Sequence, residues 1–245
     1  MPHHVQTRRS LRRITPALAM LFMAAPLAAP AVASAQILGP TPYLQFSDSP
    51  FAGVSGFQYF HLETFEDHLL NVPGVTASAG GVASVVFGPN IHDSVDGDDG
   101  VLDGSGLNGD SFFSADGGTG ISFIFNSTTL GGLPTHAGIV WTDGINPIIF
   151  QAFDQNGNLL GTQTGNHADG NFSGGTDEDR FYGAINSSGI SRIFIASGAG
   201  GGIEVDHLQY GRLADMTTVP EPSSMALLGT GLVAIIPMAR RRRKR

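Results

Sequence analysis

The sequence contains no cysteine. That absence excludes disulfide bonds, thiolate zinc sites, iron–sulfur clusters and a cysteine nucleophile. Charge is also scarce, since 14% of the 245 residues are charged, 41% are hydrophobic and 34 are glycine. Such a composition excludes a disordered chain, and the length suffices for a sizeable core. Because no internal repeat is evident, we expect one domain between the two ends.

Basic side chains are almost missing from the middle of the chain. Of the 13 Lys and Arg residues, four lie in residues 8–13 and six form residues 240–245. Three cations remain against twenty of the 21 acids, so this stretch has a formal charge of −17. The three are Arg180, Arg192 and Arg212. An acidic body without a basic stripe repels phosphate, which excludes nucleic acid as a partner.

The N-terminal arginines precede an apolar run at residues 14–32. The run ends on Ala33 and Ala35, the small-x-small pattern that signal peptidase cleaves, so Gln36 is expected to begin the mature protein. Three prolines count against the alternative of an uncleaved membrane helix: Pro16, Pro26 and Pro30. Residues 7–12 also resemble a twin-arginine export motif, and the sequence leaves open which export route is used.

The C-terminus places an apolar run at residues 225–239 directly before the basic cluster at residues 240–245. Fifteen residues span about 22 Å as a helix, less than the ~30 Å of a hydrocarbon core. Snorkelling arginines and local thinning of the bilayer can close the gap. Positive charge stays cytoplasmic, so the sequence predicts a transmembrane tail that leaves the body outside.

Just before this tail stand Val219, Pro220, Glu221 and Pro222. The motif, the short helix and the basic end together resemble the PEP-CTERM sorting tail of Gram-negative bacteria. The resemblance implies that an exosortase, a membrane-embedded cysteine protease, recognises the Pro-Glu-Pro residues and removes the tail. It also implies that the protein is then passed to the cell surface or the exopolysaccharide matrix. A plain membrane anchor after a chance proline pair is the alternative.

The sequence of the body, from about residue 36 to residue 215, predicts short strands separated by Gly, Asn and Asp turns and no amphipathic helix. We predict eight strands, at residues 57–61, 82–87, 121–126, 139–141, 148–153, 181–185, 190–196 and 203–210. Asn156 and Gly157 favour a hairpin between residues 148–153 and 158–161, because this pair adopts positive φ at low cost. The pattern indicates an all-β sandwich or jelly roll. The domains are a signal peptide at 1–35, the sandwich at 36–215 and the sorting tail at 216–245.

Three segments near the end of the body, at residues 181–185, 189–193 and 202–211, resemble the last strands of carbohydrate-binding jelly rolls. The resemblance includes an Ile-x-x-Asp-x-Leu type of strand, formed here by Ile203, Asp206 and Leu208. It implies the fold more than it implies sugar binding, because one fold hosts many functions.

Five carboxylates are crowded between residues 93 and 103, interspersed with glycine. They are Asp93, Asp96, Asp98, Asp99 and Asp103. Ca²⁺ takes six to eight oxygen ligands, and without a cation these acids repel one another, so we expect a structural calcium site. Four further acids are candidate ligands: Glu66, Asp67, Asp110 and Asp206. The alternative is a solvated acidic loop.

Other side chains are less informative. Strand alternation places Glu204 and Asp206 on one face and His207 on the other. The histidines show no metal-ligand spacing. Trp141 and Tyr182 have rings that can stack on a sugar, although core packing is the default for both. No nucleophile elbow, phosphate loop or zinc-protease helix occurs, and no facing carboxylate pair of a glycosidase is indicated.

These observations predict an exported, non-enzymatic protein of the cell surface or extracellular matrix that binds polysaccharide with the help of calcium. Its expected partners are signal peptidase, an exosortase, the membrane before processing, and exopolysaccharide. Two alternatives remain: a secreted glycan-active enzyme, and a structural matrix protein without a specific ligand.

Overall fold

A computed structural model describes residues 34–88 and 92–214. The predicted sorting motif, the transmembrane tail and nearly all of the signal peptide lie outside these residues. In the described part of the chain, strands dominate and pair into two sheets, all antiparallel. The fold is therefore a β-sandwich, as the alternation of apolar residues and the turn signals predict.

The larger sheet contains seven strands. In chain order they are β1 (Gln36–Pro42), β2 (Phe57–Glu63), β4 (Gly81–Val82), β5 (Phe112–Ser114), β7 (His136–Asp143), β10 (Arg180–Ile185) and β12 (Ile203–Leu213). Their spatial order is β1-β10-β7-β12-β5-β4, and β2 also pairs with β12. The long strand β12 therefore lies in the middle of the sheet, with β5 beside its beginning and β2 beside its end.

The smaller sheet contains five strands: β3 (Val75–Ala77), β6 (Ile121–Phe125), β8 (Ile148–Phe153), β9 (Leu159–Gly165) and β11 (Arg192–Ala196). Their spatial order is β3-β6-β11-β8-β9. The connections include the helices α1 (Ala83–Phe87) and α2 (Ser127–Leu130) and three 3₁₀ turns, at Phe46–Asp48, Asp96–Asp99 and Thr176–Glu178.

The main core fills the space between the sheets. Trp141, Phe123 and Phe150 are among its fully buried side chains. A second, smaller cluster lies on the opposite face of the larger sheet, where Tyr43, Phe51 and Val95 cover that face. For this reason every residue of β7 is buried, although an antiparallel sheet commonly leaves one face to water.

Most predicted strands are present with small changes of boundary, and the predicted hairpin is confirmed. β8 and β9 pair in antiparallel register, and Gly157 in their turn has φ +78°. Four strands were not predicted: β1, β3, β4 as a separate strand, and β5. Three of these are only two or three residues long, too short to show a period of two.

The predicted strand at residues 82–87 is wrong. Only Val82 belongs to a strand, and the following residues form α1, which leaves Val85 70% exposed. The helix begins where Asp110 accepts hydrogen bonds from both the backbone N–H and the hydroxyl of Ser84. A tertiary contact thus overrides the strand propensity of Val-Val-Phe.

Within residues 34–88 and 92–214, no helix is long and apolar enough to cross a membrane.

Candidate functional site

A β-bulge in the middle of β12 organises the outer face of the larger sheet. His207 has φ +46°, and the register with β7 shifts between Asp206 and Gln209. The residues facing the main core change at this point from Ile203 and Val205 to Leu208 and Tyr210. Such a bulge adds one residue to a strand and reverses the alternation beyond it.

The bulge brings Asp206 and His207 to the same side, which corrects the expectation that they occupy opposite faces. His207 Nε2 lies 2.7 Å from Asp98 Oδ1. Among the described residues, Asp98, Asp206 and His207 are the group whose candidate metal-ligand atoms all lie within 4.8 Å of one another. The remaining oxygen of Asp98, Oδ2, is buried without a hydrogen-bond partner.

A chain of buried hydrogen bonds extends from this group. Gln209 Nε2 donates to the Tyr43 hydroxyl at 2.9 Å, and the hydroxyl lies 2.7 Å from His207 Nδ1. Because the tyrosine oxygen accepts from Gln209, its proton points to Nδ1, and His207 then donates from Nε2 to Asp98. Ser49 completes the chain by donating to Gln209 Oε1 at 2.5 Å. These bonds hold the imidazole in one orientation.

Asp98 and Asp206 each have a carboxylate oxygen within 4.8 Å of the other and of a ring nitrogen of His207. Burial raises the pKa of Asp206 well above its ordinary value, and the charge of Asp98 raises it further. Two carboxylates this close repel each other, and each disfavours the charged form of the other. A divalent ion bound between Asp98 of the acidic loop and Asp206 of β12 would relieve this repulsion.

Two carboxylates of β12 hold the beginning of the acidic loop against the sheet. Glu204 Oε2 accepts the backbone N–H of Asp93 at 2.7 Å, and Asp206 Oδ2 accepts that of Val95 at 3.0 Å. Two backbone N–H groups that are two residues apart in the loop thus donate to two side chains that are two residues apart in β12. The Asp93 side chain, in consequence, lines a pocket beside Glu204.

The carboxylates of the five aspartates in the predicted calcium loop do not converge on one site. Asp96 caps its own loop and accepts backbone N–H groups of Asp103, Gly104 and Ser105. Asp99 is exposed and accepts the N–H of Val101. Asp103 is exposed. Asp98 lies beside Asp206 and His207. Asp93 lines the pocket beside Glu204. The loop bends around its own amides, which separates the carboxylates.

Backbone amides compensate for the scarcity of cations elsewhere as well. Most carboxylates in the described residues accept at least one backbone N–H group, and Glu63 accepts three, from Phe65, Asn71 and Val72. Such charge-assisted bonds stabilise a carboxylate without a Lys or Arg partner. Asp93 and Asp179 are exceptions, because both are buried and none of their four carboxylate oxygens has a partner.

The pocket lies at the end of the larger sheet where β5, β7 and β12 meet. In the register of the sheet, Glu204 is flanked by Asp143 on β7 and Phe113 on β5. Directly opposite side chains on one face are about 4.5–5.5 Å apart at Cβ, so these three groups form a continuous wall. His92 and Asp93 form another wall, and the cavity measures about 250 Å³.

Phenylalanine rings form the mouth of this pocket. Phe172 is 71% exposed and Phe87 is 48% exposed. The Phe87 and Phe113 rings pack edge to face with their centroids 4.5 Å apart. Large apolar side chains exposed together at the rim of a polar cavity are typical of a ligand site rather than of a plain surface.

The titratable groups of the pocket are strongly perturbed. Burial raises the pKa of Asp93 to about 9, with further contributions from Asp143 and Glu204. Burial also raises the pKa of Glu204 to about 7 and that of Asp143 to about 6. The pKa of His92 is lowered, mainly by burial. Perturbed groups in a cleft mark a candidate functional site.

The two aromatic candidates for sugar stacking are core residues. Trp141 and Tyr182 are both fully buried, with the indole N–H bonded to Ser197 Oγ at 2.9 Å. Sequence reasoning instead missed Phe87, Phe113 and Phe172. Phe87 ends α1, Phe113 lies in a strand of three residues and Phe172 lies outside the helices and strands, so no local pattern indicates that the three rings line one pocket.

Residues 218–244 match the family model of the PEP-CTERM protein-sorting motif. No curated protein matches the chain. Among solved structures, the C-terminal family 22 carbohydrate-binding module of Clostridium thermocellum Xyn10B is similar with a TM-score of 0.34 and 16% identity, over 66% of this chain and 97% of that chain. The match to the sorting motif confirms the resemblance of the C-terminus: the chain carries a PEP-CTERM sorting motif, which implies export and anchoring by the tail before processing.

Proposed function

We propose that this protein is sorted by an exosortase to the cell surface or extracellular matrix of a Gram-negative bacterium and binds polysaccharide there without cleaving it. The sorting motif at residues 218–244 supports the localisation. The pocket beside Glu204 supports the binding, and the observation that carries it is an aromatic rim around buried polar groups that lack partners.

The two kinds of group in the pocket suit a sugar ring. A pyranose presents C–H groups on its faces, which pack on aromatic rings such as Phe172 and Phe87. It presents hydroxyl groups at its edge, and these donate to carboxylates such as Asp93. A volume of about 250 Å³ is slightly below the usual range of small-molecule pockets, so one ring of a polymer enters and its neighbours remain outside.

The test is a binding measurement with a panel of soluble oligosaccharides, by calorimetry on wild-type protein and the Phe172→Ala variant. We expect the variant to bind about 2- to 12-fold more weakly, on the scale of one aromatic contact of about 0.5–1.5 kcal/mol. Because Phe172 is 71% exposed, its removal should not change the thermal unfolding.

Leu159→Ala is the matched control, since Leu159 is 52% exposed on β9 of the other sheet. Equal affinities of Phe172→Ala and wild type would place any ligand outside this pocket. If no oligosaccharide of the panel binds, a structural matrix protein without a specific ligand becomes the better conclusion.

A glycan-active enzyme is the second candidate, and one observation favours it. Asp143 and Glu204 are adjacent carboxyl groups whose pKa values, about 6 and about 7, are suited to acid–base chemistry near neutral pH. Most glycosidases also use two carboxyl groups, which flank the glycosidic bond that is cleaved. The binding mixtures therefore serve a second purpose, because released reducing ends would contradict the non-catalytic role.

We further propose that Ca²⁺ stabilises the fold through Asp98 and Asp206. A ligand that binds only the folded state at 100 times its Kd adds ~2.7 kcal/mol, or roughly 5–10 °C in Tm for a domain of this size. We expect that increase in millimolar calcium relative to chelator, and its loss in Asp98→Asn. Unfolding followed by circular dichroism measures both.

Two controls accompany the calcium experiment. Sodium chloride at matched ionic strength corrects for general screening of an acidic protein. Asp103→Asn removes an exposed charge from the same loop and should retain the calcium effect. The same Tm in calcium and in the sodium control would support a solvated loop instead.

A further inference from the structure

The charged groups that line the pocket beside Glu204 all have the same sign. Asp93, Asp143 and Glu204 contribute carboxyl groups, and no Lys or Arg is present among the lining residues that the structure describes. All three carboxyl groups are more than nine-tenths buried. A pocket of this kind repels uronic acids and other anionic sugars, and a cationic ligand relieves the repulsion among its carboxylates.

Two side chains in the pocket have no partner in the protein. Asp93 is 2% exposed and neither of its carboxylate oxygens accepts a hydrogen bond. His92 is also 2% exposed, and neither of its ring nitrogens has a partner. Buried polar groups almost always have partners, so a ligand is expected to supply hydrogen-bond donors for the Asp93 oxygens and an acceptor, such as a hydroxyl oxygen, for the N–H of His92.

The aromatic side chains of the pocket are the third property that bears on the kind of ligand it binds. Phe87, Phe113 and Phe172 line the same cavity as the carboxyl groups, and Phe87 and Phe172 are exposed at the surface. An organic cation gains attraction from the π-electrons of such rings, in addition to its attraction to carboxylates. A neutral sugar gains only the packing contribution.

A bare metal ion fits this pocket poorly. Among the described residues, the group with three ligand atoms within 4.8 Å of one another is Asp98, Asp206 and His207, which does not line the pocket. A cavity of about 250 Å³ is far larger than one ion, whereas it accommodates a sugar ring. Ring size, positive charge and several donors together describe an amino sugar.

We propose that the pocket formed by Asp93, Asp143 and Glu204 binds a hexosamine unit with a free ammonium group, as found in de-N-acetylated polysaccharides. The ammonium group lies against the carboxylates and supplies three donors. The ring packs on the phenylalanines at the mouth. This inference rests on the proposed glycan-binding function and specifies its ligand.

The probes are three tetrasaccharides of equal length: β-1,4-linked glucosamine, β-1,4-linked N-acetylglucosamine and β-1,4-linked glucose. We expect the glucosamine tetramer to bind at least ten-fold more tightly than the other two, measured by calorimetry at about 0.15 M salt. The preference should shrink in Asp143→Asn and in Glu204→Gln, because each removes one charge while keeping an oxygen for Gly144 N–H or for Asp93 N–H.

Diffuse attraction of any cation to an acidic protein is the competing explanation. Asp103→Asn changes the net charge equally at an exposed position outside the pocket, and it should leave the preference unchanged. If Asp103→Asn weakens glucosamine binding as much as the two pocket variants do, the inference is overturned.

The two proposals fail in different ways. Equal binding of the three tetramers would overturn the ammonium specificity and leave the glycan-binding function intact. No binding of any tetramer or panel sugar would overturn both. Thermal unfolding of each variant confirms that it is folded, and Asp143→Asn supplies the answer should Glu204→Gln fail to fold.

Discussion

Glu221→Ala is expected to leave the protein in the membrane fraction of the native host, and the wild-type protein is expected to be released to the surface or the matrix. The reason is that the resemblance assigns recognition to Pro220, Glu221 and Pro222, and the match at residues 218–244 supports it. A sorting protease that no longer binds its motif leaves the apolar run at residues 225–239 in the bilayer. Fractionation followed by immunoblotting measures the change, which should approach all or none.

Processing at both ends gives an independent measurement. Mass spectrometry of the wild-type protein from the cell surface should find Gln36 as the first residue and no residue of the cluster at 240–245. In Glu221→Ala the N-terminus should be unchanged and the basic cluster retained, because export precedes sorting. Ser224→Ala, two positions beyond the motif, is the matched control. Surface protein that still contains Arg240 would contradict exosortase processing.

Trp141→Ala is expected to lower the free energy of unfolding by about 3–5 kcal/mol, the usual cost of truncating a buried large aromatic side chain. Trp141 is fully buried between the two sheets and packs edge to face on His167 with ring centroids 4.9 Å apart. For a domain of this size the loss corresponds to roughly 6–20 °C in Tm. Chemical and thermal unfolding both measure it.

Two further variants separate packing from hydrogen bonding. Trp141→Phe keeps most of the ring volume but loses the 2.9 Å bond to Ser197, and should cost about 1 kcal/mol plus the remaining cavity. Phe172→Ala also removes an aromatic ring, but from a position that is 71% exposed, and should change stability by less than about 0.5 kcal/mol. Similar losses in Trp141→Ala and Phe172→Ala would contradict the burial of Trp141 between the two sheets.

Local patterns were sufficient for part of the fold. The hairpin β8–β9 follows from alternation in residues 148–153 and from Asn156-Gly157, because both act between neighbours in sequence. Residues 82–87 have equally strong strand propensity, yet most of them form α1, because Ser84 is bonded to Asp110, 26 residues away. Propensity is a weak preference that one buried contact can reverse.

Local sequence patterns were also insufficient to predict the arrangement of the candidate site. The sequence singled out the acidic loop, but it could not assign its carboxylates. Asp98 and Asp206 meet across 108 positions only because a bulge at His207 turns two successive side chains outward. Strict alternation predicts that Asp206 and His207 lie on opposite faces of the strand, and neither residue is a glycine that would indicate a bulge.

Composition and motifs alone predicted an all-β chain with a sorting tail, both of which are confirmed, and they also predicted that nucleic acid is not a partner. These properties depend on local spacing, on the position of apolar runs and on net charge, all of which are visible in one dimension. The tertiary structure alone decided that Asp93 faces a pocket with Asp143 and Glu204, and that phenylalanines surround it. Those contacts join segments as much as 111 residues apart, and close packing of two sheets determines them.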